Sequence, residues 1–169
     1  LYLNEQLKNI NLSQEGEYSY YSADSTSHSG FEYESRIFID SKTILDINGT
    51  LQMNVFNNGN FLPNTPSSIM NVSLSRIFSD DLLLYANYRK IGGMYIDNTN
   101  VEDGYISSYS ILDLGASIFW KKVKVDLKIN NVFNRLYSTY GYSYEYNGYN
   151  AFYWPGADRN TFINLSYSF

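Results

Sequence analysis

Residues 110–130 limit the possible folds more than any other stretch. Leu112, Leu114, Ala116, Ile118 and Trp120 alternate with Asp113, Gly115, Ser117 and Phe119. Two residues later, past Lys121 and Lys122, the alternation restarts. Val123, Val125, Leu127 and Ile129 interleave with Lys124, Asp126, Lys128 and Asn130. A period of two gathers each set on one face of an extended chain, whereas a helix would scatter both sets around its circumference. Folding at Lys121-Lys122 places Trp120 opposite Val123, Ile118 opposite Val125, Ala116 opposite Leu127 and Leu114 opposite Ile129. A slip of one residue would mix the apolar and polar faces, so the pattern predicts the register as well as the strands.

Two further hairpins obey the same parity. Across Asp40-Ser41-Lys42, pivoting Ile39 on Thr43 sets Ile37 opposite Leu45 and Phe31 opposite Leu51. Across Ser79-Asp80-Asp81, pivoting Phe78 on Leu82 sets Leu74 opposite Ala86 and Val72 opposite Tyr88. At the C-terminus, Thr161, Ile163, Leu165, Tyr167 and Phe169 share a face, against Asn160, Phe162, Asn164, Ser166 and Ser168. The pattern predicts about seven long strands, over 17–40, 43–56, 67–78, 82–96, 110–120, 123–137 and 159–169. A loop is expected over 1–16. Short turns alternate with long connections at 57–66, 97–109 and 138–158, as they do in outer-membrane barrels.

The polar faces bear on what surrounds the sheet. Lys124, Asp126 and Lys128, like Glu32, Glu34 and Arg36, cannot sit unpaired in a dry core. A wet or plugged barrel lumen accepts them, and so does the solvated face of a soluble sandwich. Composition suits both: aromatics make up 18% of the chain, with 18 Tyr and 10 Phe, and charged residues only 17%. A mean hydropathy of −0.34 and the lack of a long apolar run exclude a membrane-spanning helix. The net charge of −5 argues against a nucleic-acid surface. With no cysteine there is no disulfide, thiolate nucleophile or zinc-thiolate site. Residues 1–10 lack the basic start and apolar core of a secretion signal, and the Leu1 start suggests a piece of a longer protein.

Several segments resemble the TonB-dependent outer-membrane receptors. Leu112-Asp-Leu114 matches a strand motif. Asn131-Val-Phe-Asn-Arg-Leu-Tyr137 resembles the family's Asn-Leu-Phe-Asp-x-x-Tyr, with Val and Asn replacing Leu and Asp. Pro155-Gly-Ala-Asp-Arg159 resembles its Pro-Gly-x-x-Arg turn, ahead of a last strand ending in Phe169. Gly30-Phe-Glu-Tyr-Glu34 and Phe61-Leu-Pro-Asn-Thr-Pro66 resemble its Gly-Val-Glu-x-Glu and Leu-Pro-x-x-Pro segments. The resemblance covers residues 17–169. It implies an all-β fold: an antiparallel transmembrane β-barrel segment, the C-terminal part of a plugged barrel of about 22 strands. It further implies uptake of a scarce nutrient, most often an iron complex such as a ferric siderophore, and no enzymatic activity or cofactor. The implied partners are outer-membrane lipid, the remaining strands and plug, TonB acting through that plug, the barrel-assembly machinery and an iron chelate. The assembly signal would be the closing set Ile163, Leu165, Tyr167 and Phe169. Two rival readings are a small self-contained outer-membrane barrel or adhesin, and a soluble carbohydrate-binding β-sandwich.

Few residues suggest a site by themselves. His28 is a lone histidine and reads as a polar strand residue rather than a metal ligand. Glu32 and Glu34, with Arg36, read as a wet wall rather than a carboxylate pair. The sequons at Asn11, Asn48, Asn71 and Asn164 lose their meaning in a bacterial location. The ring-rich stretch 140–154 is the best ligand candidate, through Tyr142, Tyr144, Tyr146, Tyr149, Tyr153 and Trp154. Rings with polar tips bind amphipathic ligands. A membrane-interface girdle would have the same composition.

Overall fold

Alternation on this scale becomes one large antiparallel sheet. The structure is a computed structural model that describes the backbone of residues 2–12 and 18–169, with side chains from residue 25 onward. Its strands are β1 (Tyr2–Leu12), β2 (Tyr18–Asp40), β3 (Thr43–Phe56), β4 (Ser68–Ser79), β5 (Leu82–Ile91), β6 (Met94–Tyr95), β7 (Tyr105–Ile106), β8 (Tyr109–Trp120), β9 (Val123–Asn130), β10 (Ser138–Glu145), β11 (Tyr149–Pro155) and β12 (Asn160–Tyr167). Eight form the main sheet in the order β1-β2-β3-β4-β5-β8-β9-β12. β6 pairs with β7, and β10 with β11, outside that sheet.

The expected registers are present. Leu114, Ala116, Ile118 and Trp120 face Ile129, Leu127, Val125 and Val123. Ile37 faces Leu45 and Phe31 faces Leu51. Leu74 faces Ala86 and Val72 faces Tyr88. β12 lies against β9 with Thr161, Ile163, Leu165 and Tyr167 opposite Ile129, Leu127, Val125 and Val123. Two pivots differ. Asp40, not Ile39, faces Thr43, and Ser79, not Phe78, faces Leu82. Each of these two turns therefore carries a bulge, which absorbs one residue without disturbing the faces beyond it, whereas the Lys121-Lys122 turn carries none.

Four sequence-based expectations need correction. Tyr2–Leu12, expected to be a loop, is strand β1, while residues 13–17 of that expectation lie outside the described residues. Among the described residues β1 pairs with Tyr18–Ser29. It lies beside the part of β2 that precedes the alternating Phe31–Ile39 segment, where the sequence has no clean period. Strand β5 stops at Ile91 rather than at residue 96, because the chain leaves the sheet at Gly92-Gly93 to make β6. Strand β9 stops at Asn130 rather than at residue 137. The supposed connection 138–158 contains a hairpin, β10–β11, turning through Asn147 and Gly148, both at positive φ. An Asn-Gly turn flanked by alternating residues is a local hairpin signal.

Asn131 explains the end of β9. Its φ of 48° is left-handed and cannot continue a strand. Its buried side chain then knots together the segments that resemble family motifs. The Asn131 backbone N–H donates to Asp113 Oδ1 at 2.9 Å. Its Nδ2 donates to the carbonyls of Arg135 (2.9 Å) and Ala157 (3.1 Å), and its Oδ1 accepts the Arg135 N–H at 2.9 Å. Asn134 Oδ1 accepts the Arg159 N–H at 2.8 Å. Motifs that are weak separately converge here on one tie between β8, β9 and β12.

Among the described residues nothing covers the apolar face of the sheet. Among the described residues the buried apolar cluster is Met94, Ile96 and Ile106, which belongs to the loops rather than to the main sheet. Phe31, Leu51, Trp120, Ile163 and Leu165 are all exposed on one face. The accessible surface is 11940 Å², against about 8,500 Å² for a compact soluble chain of this mass. A soluble sandwich would cover this face with a second sheet, and none covers it among the described residues. A self-contained barrel would pair β1 with β12, yet these two strands end the sheet.

The opposite face is a polar ladder. Arg36 faces Asp46 in register and binds it at 2.6 Å. Asn71 Nδ2 donates to Asn48 Oδ1 at 2.9 Å, and Arg89 Nε donates to Asn71 Oδ1 at 3.3 Å. Ser73 donates to Asn87 Oδ1, and Ser117 to Asp126 Oδ1, each at 2.5 Å. Lys124 pairs with Asp126 at 2.9 Å and Lys128 with Asp113 at 3.4 Å. Arg36 and Lys128 are thus matched by an acid on the neighbouring strand, and Lys124 by Asp126 on its own strand.

Candidate functional site

The short turns lie at one end of the sheet, and the long connections converge at the other. Asn64 begins that convergence. At φ 53° it turns its amide onto the backbone of Gly141, 77 residues away. Its Nδ2 donates to the Gly141 carbonyl at 2.9 Å, and its Oδ1 accepts the Gly141 N–H at 3.0 Å. Gly141 must be glycine for this contact: a Cβ there would lie 2.5 Å from Ile96 Cγ2 and 2.9 Å from the Phe152 carbonyl oxygen. Asn100 Oδ1 accepts the Phe61 N–H at 2.6 Å, and its Nδ2 returns a bond to the Phe61 carbonyl at 3.0 Å.

Asp97 closes the assembly. Its Oδ1 accepts the N–H and hydroxyl of Thr99, at 2.8 and 2.5 Å. Its Oδ2 accepts the hydroxyls of Ser143, at 2.6 Å, and of Tyr149. Partial burial of Asp97 pushes its carboxyl upward, but the bonds from Ser143, Thr99 and Tyr149 outweigh that and hold it below the usual carboxylate range. Tyr149 moves the other way. Burial first, and then the hydrogen bond to Asp97, push its phenol up to about 12. Tyr153 donates to the Asp103 carbonyl. Beneath these bonds Met94, Ile96 and Ile106 pack with Ala151. The connections at 57–67 and 92–108 and the β10–β11 hairpin are joined to one another by these bonds.

This arrangement divides the six candidate ligand residues. Tyr142, Tyr144 and Trp154 share one face of the hairpin with Tyr140 and Phe152. Their rings form a continuous series: Tyr140–Trp154 at 5.4 Å, Trp154–Tyr142 at 5.3 Å, Tyr142–Phe152 at 5.2 Å and Phe152–Tyr144 at 5.4 Å. Such spacings are favourable for paired rings, and the series stays exposed. Tyr146 stands at the hairpin tip, 72% exposed. Tyr149 and Tyr153 lie on the opposite face, their hydroxyls committed to Asp97 and Asp103. Sequence reading missed Tyr140 and Phe152, although alternation through residues 140–144 and 152–154 places them with the others. It also missed Asp97 and Asn64. Asp97 with Thr99 signals a local turn, but nothing local points to Ser143 or Tyr149.

A second concavity lies on the polar face. His28, Glu32, Thr50, Gln52 and Asn54 help line about 450 Å³. The His28 ring is held at both nitrogens: Nε2 is 3.0 Å from Thr26 Oγ1, and Nδ1 is 2.9 Å from Asn54 Oδ1. Neither Glu32 nor Glu34 forms an ion pair among the described residues, and Arg36 is taken by Asp46.

The sequence matches no family model and no curated protein. Solved structures do resemble the fold. The ferric yersiniabactin uptake receptor FyuA of Yersinia pestis matches over 89% of this chain and 25% of its own, with a TM-score of 0.76 at 22% identity. The siderophore receptor PiuA of Acinetobacter baumannii matches over 88% of this chain and 23% of its own, with a TM-score of 0.76 at 19% identity. A ferric enterobactin receptor of Pseudomonas aeruginosa, in complex with enterobactin, matches over 99% of this chain and 28% of its own, with a TM-score of 0.78 at 18% identity. The chain therefore has the strand architecture found in siderophore receptors and spans about a quarter of their length.

Proposed function

We propose that this chain is the C-terminal part of the barrel wall of a TonB-dependent outer-membrane receptor, which imports a scarce nutrient in the form of an iron complex such as a ferric siderophore. One observation carries the reading. An uncovered apolar face backs a polar face that carries ion pairs and hydrogen bonds, in a sheet that matches siderophore receptors over nearly its whole length. In this reading the apolar face meets lipid, the polar face lines the lumen against a plug, and the joined connections lie outside the cell. The plug couples to TonB, and the barrel-assembly machinery recognises Ile163, Leu165, Tyr167 and Phe169 on β12.

For ligand capture, the proposal centres on the ring series Tyr140, Tyr142, Tyr144, Phe152 and Trp154, with Tyr146 at the tip. Planar ring faces bind flat or amphipathic chelates through apolar contact while their polar edges remain wet. Tyr149 and Tyr153 hold the hairpin in place. The test is uptake of radioactive iron by iron-starved cells with and without the full-length protein, supplied with a panel of ferric siderophores. Uptake of at least one complex should require both the protein and TonB. Unchanged uptake across the panel on deletion, or import that persists without TonB, would refute the reading.

A further inference from the structure

At the short-turn end, the Lys121-Lys122 turn differs from the other two. The turn at residues 40–43 holds one acid beside its one lysine: Asp40 accepts from the Lys42 backbone N–H and the Thr43 hydroxyl and pairs with Arg76 of β4 at 3.2 Å. The turn at 79–81 carries two aspartates and no cation. Lys121 and Lys122 bring two positive charges and no acid, and neither makes an ion pair among the described residues. Their neighbour Lys124, on the polar face, is neutralised by Asp126 at 2.9 Å.

Both free ammoniums lie over rings of the apolar face. Lys121 Nζ is 5.4 Å from the Trp120 ring centroid, and Lys122 Nζ is 6.0 Å from that of Tyr167. Trp120, Val123 and Tyr167 form one lateral row, because Val123 faces both Trp120 on β8 and Tyr167 on β12. Phe169 packs edge-on against Tyr167 at 5.2 Å, and the Ser168 N–H donates to the Lys122 carbonyl at 2.9 Å. The result is an apolar shelf of exposed rings with two cations at its edge. Lysines at the rim of an apolar band extend their stems along it and hold their charge at the headgroup level.

We infer that this shelf is a binding site for an anionic phospholipid. Its phosphate sits between Lys121 and Lys122, and its acyl chains lie along Trp120, Val123 and Tyr167. Charge complementarity selects the headgroup, because two unneutralised cations stand where the apolar face ends. The ring row selects a lipid over a free anion, which would use the lysines alone. The inference rests on the lipid-facing assignment of the apolar face and is independent of what the protein transports.

The test is native mass spectrometry of the full-length protein in detergent, titrated with phosphatidylglycerol or with phosphatidylcholine of the same chain length. Two lysines at the headgroup level should favour the anionic lipid by about 30-fold. Lys121→Asn with Lys122→Gln should remove most of that preference, Asn being tolerant of the positive φ at residue 121. Lys42→Gln, on the turn that carries Asp40 and a single lysine, should leave it intact. Inorganic phosphate should not displace the bound lipid. Equal retention of both lipids by the unmodified protein overturns the site whether or not the variants assemble. Undiminished preference in the double variant, or displacement by inorganic phosphate, also overturns it. Retention of neither lipid would overturn the lipid-facing assignment as well, an outcome separate from failure of iron uptake.

Discussion

Replacing Asp97 with alanine should release the β10–β11 hairpin while leaving the main sheet intact. The carboxylate collects four hydrogen bonds, two of them from residues 46 and 52 positions away, Ser143 and Tyr149. A hydrogen bond to a charged acceptor contributes about 1.5–3 kcal/mol. The site is only partly buried, so the lower figure applies to each bridging bond, for about 3 kcal/mol in all. That difference raises the open fraction of the hairpin by about two orders of magnitude. Hydrogen exchange reads it directly at the Gly141 amide, which donates to Asn64 only while the hairpin is docked. Tyr149→Phe removes one bridge and should give about half the effect in free energy. Unchanged Gly141 exchange in Asp97→Ala would refute the latch. The pH dependence follows from the two shifts. The carboxyl of Asp97 is lowered below 3.8, so its contribution is full above that value and is lost as pH falls through the depressed folded value. The phenol of Tyr149 is raised to about 12, so its contribution is full below 10 and is lost as pH rises toward 12. The latch should hold between those limits.

Asn131→Ala removes a buried amide with three hydrogen bonds and puts alanine at positive φ; the expected loss is about 3–5 kcal/mol in urea unfolding of the assembled barrel. Deleting Phe169 should lower the yield of assembled protein in membranes and leave ligand affinity of the assembled fraction unchanged; normal assembly would count against the role given to β12. Tyr142→Ala with Trp154→Ala should weaken capture of the cognate complex at least tenfold with no change in Gly141 exchange, because these rings lie on the hairpin face away from the latch.

The sheet was legible from residues alone because strand alternation is a local property. Each residue of Ser110–Asn130 declares its face through its neighbours two positions away, and a two-residue turn transmits that parity to the next strand. The partners of Leu114, Ile37 and Leu74 were therefore predictable to the residue. The bulges at Ile39 and Phe78 were not, since an absorbed residue leaves the faces beyond it unchanged. β1 was invisible because its partner segment lies past the alternating stretch of β2. The long-connection end needed tertiary structure for a different reason. Asp97 meets Ser143 and Tyr149, and Asn64 meets Gly141, across 46 to 77 residues, through polar groups that obey no period. Sequence marked residues 140–154 as rich in rings with polar tips. Only the packing of Met94, Ile96 and Ile106 against one side of the hairpin decided that Tyr149 and Tyr153 serve as fasteners, leaving Tyr142, Tyr144 and Trp154 on the open face.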